Sequence, residues 1–414
     1  MNIYKNGYVY DNTHNEYIMN VEKEVYLPSL LSLGLDKLIQ YFKGETIIPV
    51  FRLFILNSDE TIHYEASSDL VSANMSISYQ SGQRRTMNCT LKNENNYWSY
   101  GSQAPLWVGT KFRLDTGVMI DNVLYWQPQG VFMLSSAAPS ISDSNRSVAL
   151  TLCDKWGIWD GTVFGTTQLK TIIPTQVPMK QVFSDVVHED NGLGEMWDCQ
   201  PIVFNSMYGD TLTYYTIKQE AGNPKSQYML DMATTISSDL YYDTCGRLNV
   251  ESNTLDFVNN NFPVVWRFNE EEMDCGSPSL NYERSDYYNM ITTKGAIVNG
   301  KQFLGVMSNT NRKSLYNIYD TPLSPKLNNN TKLYSDNLCL EQSMYEMTQQ
   351  SRGLRALTLP CAYLPFLDVN MAVEVNFPSF GLNRETYIID SISYNIATDC
   401  SMSLNMTSNY ETAI

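Results

Sequence analysis

Basic side chains are scarce in this sequence. Lys and Arg together number 28 against 44 Asp and Glu, which gives a formal net charge of −16 at pH 7. Proteins that bind nucleic acids need clustered Lys and Arg to neutralise phosphates, and no such run is present. The sequence also lacks an apolar run long enough to span a membrane. These two absences argue against a nucleic-acid-binding domain and against a transmembrane helix.

Paired cysteine motifs are missing as well. The eight cysteines are scattered without a CxxC pair, and residues 1–17 lack the apolar segment of a secretion signal. We therefore expect reduced, mostly buried thiols in a protein made in a cytoplasm. The cysteines are Cys89, Cys153, Cys199, Cys245, Cys275, Cys339, Cys361 and Cys400.

Only three histidines are present. A Ser-His-Asp or Cys-His site would have to use one of them, and no GxSxG segment positions a nucleophile. His14 lies in a polar N-terminal segment, His63 in a turn-like segment and His188 at the end of a predicted helix. Catalysis also needs a positioned base, which spacing alone does not show, so a structural role is the preferred interpretation for each.

The densest potential metal-binding cluster surrounds His188. Asp185 and His188 share a helix face three residues apart, and Glu189 and Asp190 follow directly. Two such side chains can ligate one ion. The same residues are also explained as a charged helix end in solvent, which is the preferred interpretation. We therefore predict no metal site.

One segment has the spacing of a phosphate-binding loop. Residues 295–301, GAIVNGK, match GxxxxGK, but Gln302 stands where such a loop needs Ser or Thr for Mg²⁺. The intervening Ala-Ile-Val is typical of a strand, and Asn299-Gly300 suits a hairpin turn. We interpret the segment as a β-hairpin, with no nucleotide or other cofactor bound.

An acidic segment offers the enzyme alternative. Glycoside hydrolysis requires two carboxylates about 5–10 Å apart across a cleft. Glu270, Glu271, Glu272 and Asp274 supply carboxylates, but adjacent acidic residues on a loop are usually solvated charge. No catalytic residue is therefore assigned.

Tyrosine and asparagine are abundant, with 28 Tyr and 12% aromatic residues overall. Tyr favours strands and interfaces, and Asn favours turns. From Pro49 onward apolar residues alternate with polar ones, as at Met75, Ile77 and Tyr79. Five or six such strands with turns between them predict an antiparallel sandwich or barrel over residues 47–165.

The remaining segments complete the predicted organisation. Residues 1–46 form an N-terminal arm with a short helix. Residues 166–284 form a small mixed α+β module, with helices near 178–189 and 227–239 and a hairpin around Asp243–Gly246. Residues 285–414 form a second β-domain with one helix near 335–351. The predicted fold class is mainly β with α+β elements.

Several segments resemble the tail hub proteins of phages of Gram-positive bacteria. The resemblance covers most of residues 47–260 and extends more loosely over 285–414. It is carried by PVFRLFILNSDETIHYE, ISYQSGQRRTMNCTLKN, LWVGTKFRLDTGV, YWQPQGVFMLSS and LTLCDKWGIWDGT, then by DNGLG, TYYTIKQEAG, LYYDTCGRL and LPFLDVNMAVEVNF.

This resemblance implies a non-enzymatic structural subunit without a cofactor. The family forms homotrimers in which each subunit supplies two tube-like β-barrels, here 47–165 and 285–414, to a pseudo-sixfold ring. The implied partners are a tail tube or distal tail protein above the ring and a tail-tip, spike or tape-measure protein below it. DNA passes through without specific binding, which an acidic lumen would favour. The implied location is the virion tail, assembled in the host cytoplasm.

Two other function classes stay open beside the hub. A carbohydrate- or receptor-binding tail protein would carry a surface cluster of Trp and Tyr. A tail-associated cell-wall or polysaccharide hydrolase would carry a cleft with paired carboxylates.

Overall fold

The computed structural model describes most of the chain. It covers residues 49–408 except 102–103, 142–145, 193, 207–209, 253–262, 271–275, 282–287, 315, 353–354 and 397–399, and it also covers 2–3, 8–11, 16–21, 23–27, 33 and 35–44. His14, Glu271, Glu272, Asp274 and Cys275 lie outside the described residues.

The N-terminal segment contains more strand than predicted. Four strands form an antiparallel meander: β1 (Asn2–Ile3), β2 (Tyr8–Asp11), β3 (Glu16–Val21) and β4 (Lys23–Leu27). These strands were not predicted from the sequence, although Tyr, Val and Ile favour strands, and the role of the segment as an arm stays a prediction. The predicted helix is present as α1 (Leu35–Gly44). It packs on the body of the protein, where the Phe42 ring lies 5.4 Å from that of Phe366.

The first β-region is an antiparallel run of seven strands. In sheet order they pair as β7-β8-β11-β10-β9-β5-β6. The strands are β5 (Val50–Leu56), β6 (Ile62–Glu65), β7 (Leu70–Ser78), β8 (Arg85–Lys92), β9 (Lys111–Ile120), β10 (Val123–Ile141) and β11 (Arg146–Asp154). The period-two pattern is confirmed: Met75 and Ile77 are buried, whereas Asn74 before Met75 and Ser76 between the two are exposed.

The mixed module contains two helices and short strands around its own apolar core. The helices are α2 (Met179–Val187) and α3 (Lys225–Thr235), and the strands are β12 (Thr171–Ile173), β13 (Val203–Asn205), β14 (Ile217–Gln219), β15 (Ser238–Tyr242) and β16 (Leu248–Ser252). The predicted hairpin joins β15 to β16, and Gly246 has the positive φ of 74° that its turn requires.

The C-terminal β-region contains six strands. They are β17 (Val264–Asn269), β18 (Ser279–Asn281), β22 (Ala356–Ala362), β23 (Ala372–Phe377), β24 (Leu382–Ile396) and β25 (Ser401–Ser408). The order β18-β22-β25-β24 is antiparallel, and β23 also pairs with β24. Strand β17 lies in the segment predicted for the mixed module, but it pairs in parallel with β23.

A separate three-stranded sheet carries the last helix. It consists of β19 (Met290–Val298), β20 (Lys301–Ser308) and β21 (Pro325–Asn329), and α4 (Asp336–Arg352) packs on β19 and β20. The contact is close at Gly305, where a Cβ atom would lie 2.1 Å from the backbone nitrogen of Leu340. Within the described part of the chain, no helix combines the length and apolar character needed to cross a membrane.

One sheet joins the two β-regions. Strand β24 pairs with β7 in antiparallel register from Ser391 opposite Ser78 to Ile396 opposite Ala73. The result is a 13-stranded sheet, and one apolar core cluster extends from Leu53 in the first region to Leu404 in the second. The mainly β fold class is thereby confirmed. The domain boundaries at residues 46, 165 and 284 stay a prediction.

Candidate functional site

The structure gives neither of the two described histidines a carboxylate as hydrogen-bond partner. His63 is exposed in β6, so its prediction as a turn residue was wrong. His188 follows α2, with its Nδ1 3.1 Å from the carbonyl oxygen of Ser184 and its Nε2 3.1 Å from that of Gln200. Ser184 Oγ is 3.3 Å from the same Nδ1. In a catalytic triad, one ring nitrogen of the histidine contacts the nucleophile and the other contacts a carboxylate. Here the nitrogen away from Ser184, Nε2, faces a backbone carbonyl instead.

The acidic residues beside His188 turn to separate partners. Asp185 accepts a hydrogen bond from Gln181 Nε2 at 2.5 Å, and Glu189 forms an ion pair with Lys225. Asp190 accepts from the backbone nitrogen of Gly192 at 2.6 Å. These contacts give each carboxylate a local structural role in the α2 end and the loop after it.

The glycines of the GxxxxGK segment have structural explanations. Asn299 and Gly300 have φ values of 51° and 77°, which suit the predicted type I′ turn between β19 and β20. At Gly295 a Cβ atom would lie 2.5 Å from the carbonyl oxygen of Leu333 and 2.6 Å from the sulfur of Cys339. Close packing therefore explains the first glycine, and the hairpin explains the second.

Of the predicted acidic segment, Glu270 is described. Its carboxylate accepts hydrogen bonds from the backbone nitrogen of Ser379, at 3.1 Å, and from the Ser379 hydroxyl. These bonds lower the pKa of the exposed Glu270 carboxyl. They link the loop after β17 to the turn that follows β23.

A buried ion-pair network lies where the first β-region meets the mixed module. Lys155 Nζ is 2.5 Å from Glu60 Oε1 and 2.6 Å from Asp198 Oδ1, and it donates to the carbonyl of Gly246 at 2.9 Å. Lys111 Nζ is 2.8 Å from the same Glu60 oxygen. We call Glu60, Lys111, Lys155 and Asp198 the junction network. All four are buried.

Lys155 occupies the space between the acidic groups that would otherwise suit a metal. Oxygen atoms of Glu60 and Asp198 and the sulfur of Cys199 lie within 4.8 Å of one another, but the Lys155 ammonium already contacts both carboxylates. Burial alone raises the pKa of Glu60, yet Lys155 and Lys111 outweigh it and hold the value at about 2. The charges are matched two against two, so the network acts as a structural tie.

An extended uncharged surface on the large sheet was not predicted from the sequence. Seven residues lie directly opposite one another across β22, β25, β24, β7, β8, β11 and β10, and all are at least partly exposed. They are Ala362, Ser401, Asn395, Asn74, Asn88, Thr151 and Ser136. A neighbouring row consists of Pro360, Ser403, Ser393, Ser76 and Thr86. We call these two rows the neutral face.

The neutral face crosses the seam between the two β-regions. A depression of about 420 Å³ lies in it, lined by residues of both regions. On either side of the seam, Asn395 on β24 is opposite Asn74 on β7. The signal was present in the sequence, because NMSIS, MNCT, SISYN and SMSLN place Ser, Thr or Asn between the buried apolar residues.

The fold is that of phage tail proteins. A tail protein from Neisseria meningitidis MC58 has a TM-score of 0.58 at 10% identity, with 87% of this chain and 99% of that chain covered. The 43 kDa tail protein of prophage MuSo2 from Shewanella oneidensis has a TM-score of 0.57 at 12% identity, covering 88% and 100%. The predicted resemblance to tail proteins is therefore confirmed for the fold.

Two further comparisons bear on the chain. A prophage tail protein from Listeria monocytogenes EGD-e has a TM-score of 0.51 at 8% identity, covering 87% of this chain and 95% of that one. The sequence model of a family described as a domain of unknown function, DUF5048, matches residues 311–412. No curated protein matches the sequence.

Proposed function

We propose that this chain is a structural hub subunit of a bacteriophage tail tip. Three copies form a pseudo-sixfold ring that connects the tail tube to the tip and lets DNA pass. The observation that carries the proposal is the neutral face, which runs without interruption across two β-regions of one sheet. The tail-protein fold supports the same role.

The joined sheet gives each subunit two tube-forming segments. Strands β7, β8, β10 and β11 supply one segment, and β22, β24 and β25 supply the other, with the β24–β7 pairing fixing their relative position. Three subunits would therefore contribute six segments around one axis. Ring closure also protects the outer strands of such a sheet, because exposed edges are prone to unwanted pairing.

The chemistry of the neutral face suits a surface along which DNA moves. Binding to duplex DNA draws most of its non-specific affinity from Lys and Arg, which neutralise phosphates and release counterions. The twelve residues of the two rows are Ser, Thr, Asn, Ala and Pro, so they neutralise no phosphates and release no counterions. The net charge favoured an acidic lumen, whereas the proposed lumen lined by this face is neutral.

The other parts of the chain then hold the ring segments and meet neighbours. The mixed module is tied to the first β-region by the junction network. The part of the chain with β19–β21 and α4 contacts the mixed module, where Lys332 pairs with Asp231 and the Tyr334 ring stacks with that of Tyr215. We propose that these parts contact the tail proteins above and below the ring and that the chain catalyses no reaction.

The solution mass tests this proposal. Size-exclusion chromatography with light scattering, repeated over a range of concentrations, should give a mass of three times 47.2 kDa. Electron micrographs of that species should show a ring with a central hole. A strict monomer at every concentration would count against self-assembly into the hub.

A further inference from the structure

A pocket of about 780 Å³ opens between the first β-region and the mixed module. Its floor is apolar, formed by the buried residues Ile55, Met133 and Ile158. One side is closed by a hydrogen bond from Ser58 Oγ to Glu195 Oε1 at 3.0 Å. A cavity of this size is typical of a ligand site.

Exposed aromatic rings surround the opening. Tyr97 and Trp107, from the loop between β8 and β9, are 46% and 45% exposed, and Phe164 from the module is 40% exposed. Phe164 pairs with Trp197 at 5.7 Å between ring centroids. Gly109 makes room for this wall, because a Cβ atom there would lie 2.5 Å from the Phe164 ring. The rings therefore stand on both sides of the opening.

The backbone of the surrounding loops is largely occupied by its own hydrogen bonds. Thr110 N donates to the Trp107 carbonyl at 3.0 Å, and Trp107 N donates to Thr110 Oγ1 at 2.9 Å. Asn191 N donates to the Glu195 carbonyl at 2.8 Å. An extended peptide is recognised mainly through free backbone groups, so these loops favour a ligand that binds through rings and side chains.

The charges at the pocket disfavour an anion. Among the residues described around it, Lys111 is the only Lys or Arg, and its ammonium is held by Glu60 and by the carbonyl of Ser58. The polar side chains at the opening include the imidazole of His63 and the carboxylate of Glu195, both exposed. These groups can accept hydrogen bonds from hydroxyls.

We propose that this pocket binds a neutral saccharide. The apolar faces of the sugar rings rest against Tyr97, Trp107 and Phe164, and the hydroxyls bond to His63 and Glu195. Such a site gives the chain a glycan-recognition function beside its proposed structural role. It uses no residue of the neutral face, so either function can fail without the other.

The test uses the full-length chain and short neutral oligosaccharides of hexose and N-acetylhexosamine. An array identifies the tightest sugar, and calorimetric titration then compares wild type with Trp107→Ala. We expect about tenfold weaker binding or more, since the ring supplies much of the apolar contact. Tyr319→Ala is the matched control, because Tyr319 is also exposed, at 56%, but lies far along the chain after β20.

Several outcomes would overturn the saccharide site. They are the absence of binding to every sugar on the array, equal binding by wild type and Trp107→Ala, and a preference for anionic over neutral sugars. Displacement of the bound sugar by an extended peptide with tighter affinity would assign the pocket to a protein partner instead. Circular dichroism of each variant shows whether a loss of binding reflects a loss of fold.

Discussion

Replacing Lys155 by Met tests whether the junction network holds the module to the sheet. The methionine side chain fills similar space but removes the cation that contacts Glu60 and Asp198. Glu60 keeps Lys111 at 2.8 Å. Asp198 keeps two hydrogen bonds, from Tyr242 Oη at 2.8 Å and from the backbone nitrogen of Gln200 at 2.9 Å, but loses its cation. The variant therefore buries one uncompensated carboxylate.

The expected cost follows from this geometry. Removing one partner of a buried ion pair typically destabilises a protein by about 3–5 kcal/mol, because the remaining charge stays buried. The Lys155 side chain is 0% exposed, and so is that of Asp198, so solvent cannot replace the lost ammonium. A cost of this size is a large part of the roughly 5–15 kcal/mol by which a folded protein is usually stable.

Urea titration followed by two probes measures the effect. Tryptophan fluorescence reports on the seven tryptophans of the chain, among them Trp156 next to Lys155 and Trp159, which donates to Tyr242 Oη at 2.8 Å, and far-ultraviolet circular dichroism reports on the whole sheet. The matched control is Lys170→Met, whose exposed pair with Glu220 should contribute only about 0–1 kcal/mol. Changing Asp198 to Asn in the Lys155→Met background should restore part of the loss. Equal midpoints for Lys155→Met and Lys170→Met would refute the reasoning.

Three further predictions concern other parts of the structure. Burial raises the pKa of Asp154 from 3.8 to about 6. The contribution of this carboxyl to the free energy of unfolding is therefore fully present below pH 3.8 and is lost as the pH rises through 6. Asp154→Asn should remove that pH dependence, which urea titration at several pH values measures. Gly305→Ala should destabilise the protein by about 1–3 kcal/mol or more, because the new methyl group meets the backbone of α4. The control is Gly101→Ala, where the nearest neighbour of the added Cβ atom is 3.8 Å away. This control should unfold at nearly the wild-type urea concentration. Thr151→Arg puts a cation on the neutral face and should create duplex-DNA binding that weakens as salt rises. The control is Gln168→Arg, an exposed position outside that face, for which fluorescence anisotropy should show less DNA binding. Equal binding by both variants would contradict the assigned face.

Local features of the fold were predictable where short segments determine them. Asn299-Gly300 and Asp121-Asn122 both have the positive φ values of the turns they form. The alternation of Met402, Leu404 and Met406 with polar residues predicted a half-buried strand, and β25 has that burial pattern. In each case the deciding information lies within a few residues.

Long-range pairings carried no comparable signal. Strand β24 pairs with β7 although more than 300 residues separate Ser391 from Ser78. Likewise, β17 joins β23 in parallel, and no local pattern distinguishes that partner from one in the module. Lys155 follows a predicted strand, and no pattern around it indicates a buried ion pair. Its partners Glu60 and Asp198 lie far before and far after it in the sequence. Such contacts depend on the assembled fold, which periodicity does not encode.

Charge is distributed unequally in the structure, and the distribution suits the proposed ring subunit. Arg85 is buried and bonds to three parts of the protein. Its Nη1 donates to the carbonyl of Tyr242 in the mixed module at 2.6 Å, and its side chain pairs with Asp368 in the second β-region. Its backbone nitrogen donates to Asp154 Oδ2 in the first β-region at 2.9 Å. On the opposite side of the same strand β8, Thr86 and Asn88 belong to the neutral face. Strand β8 thus directs the charge of Arg85 inward and the uncharged Thr86 and Asn88 outward, and the outward cation at its end, Lys92, pairs with Glu94 at 2.8 Å. In the proposed hub role both properties are useful, because an outward Arg on the DNA-facing side would bind phosphate, whereas the buried Arg85 bonds to several segments at once.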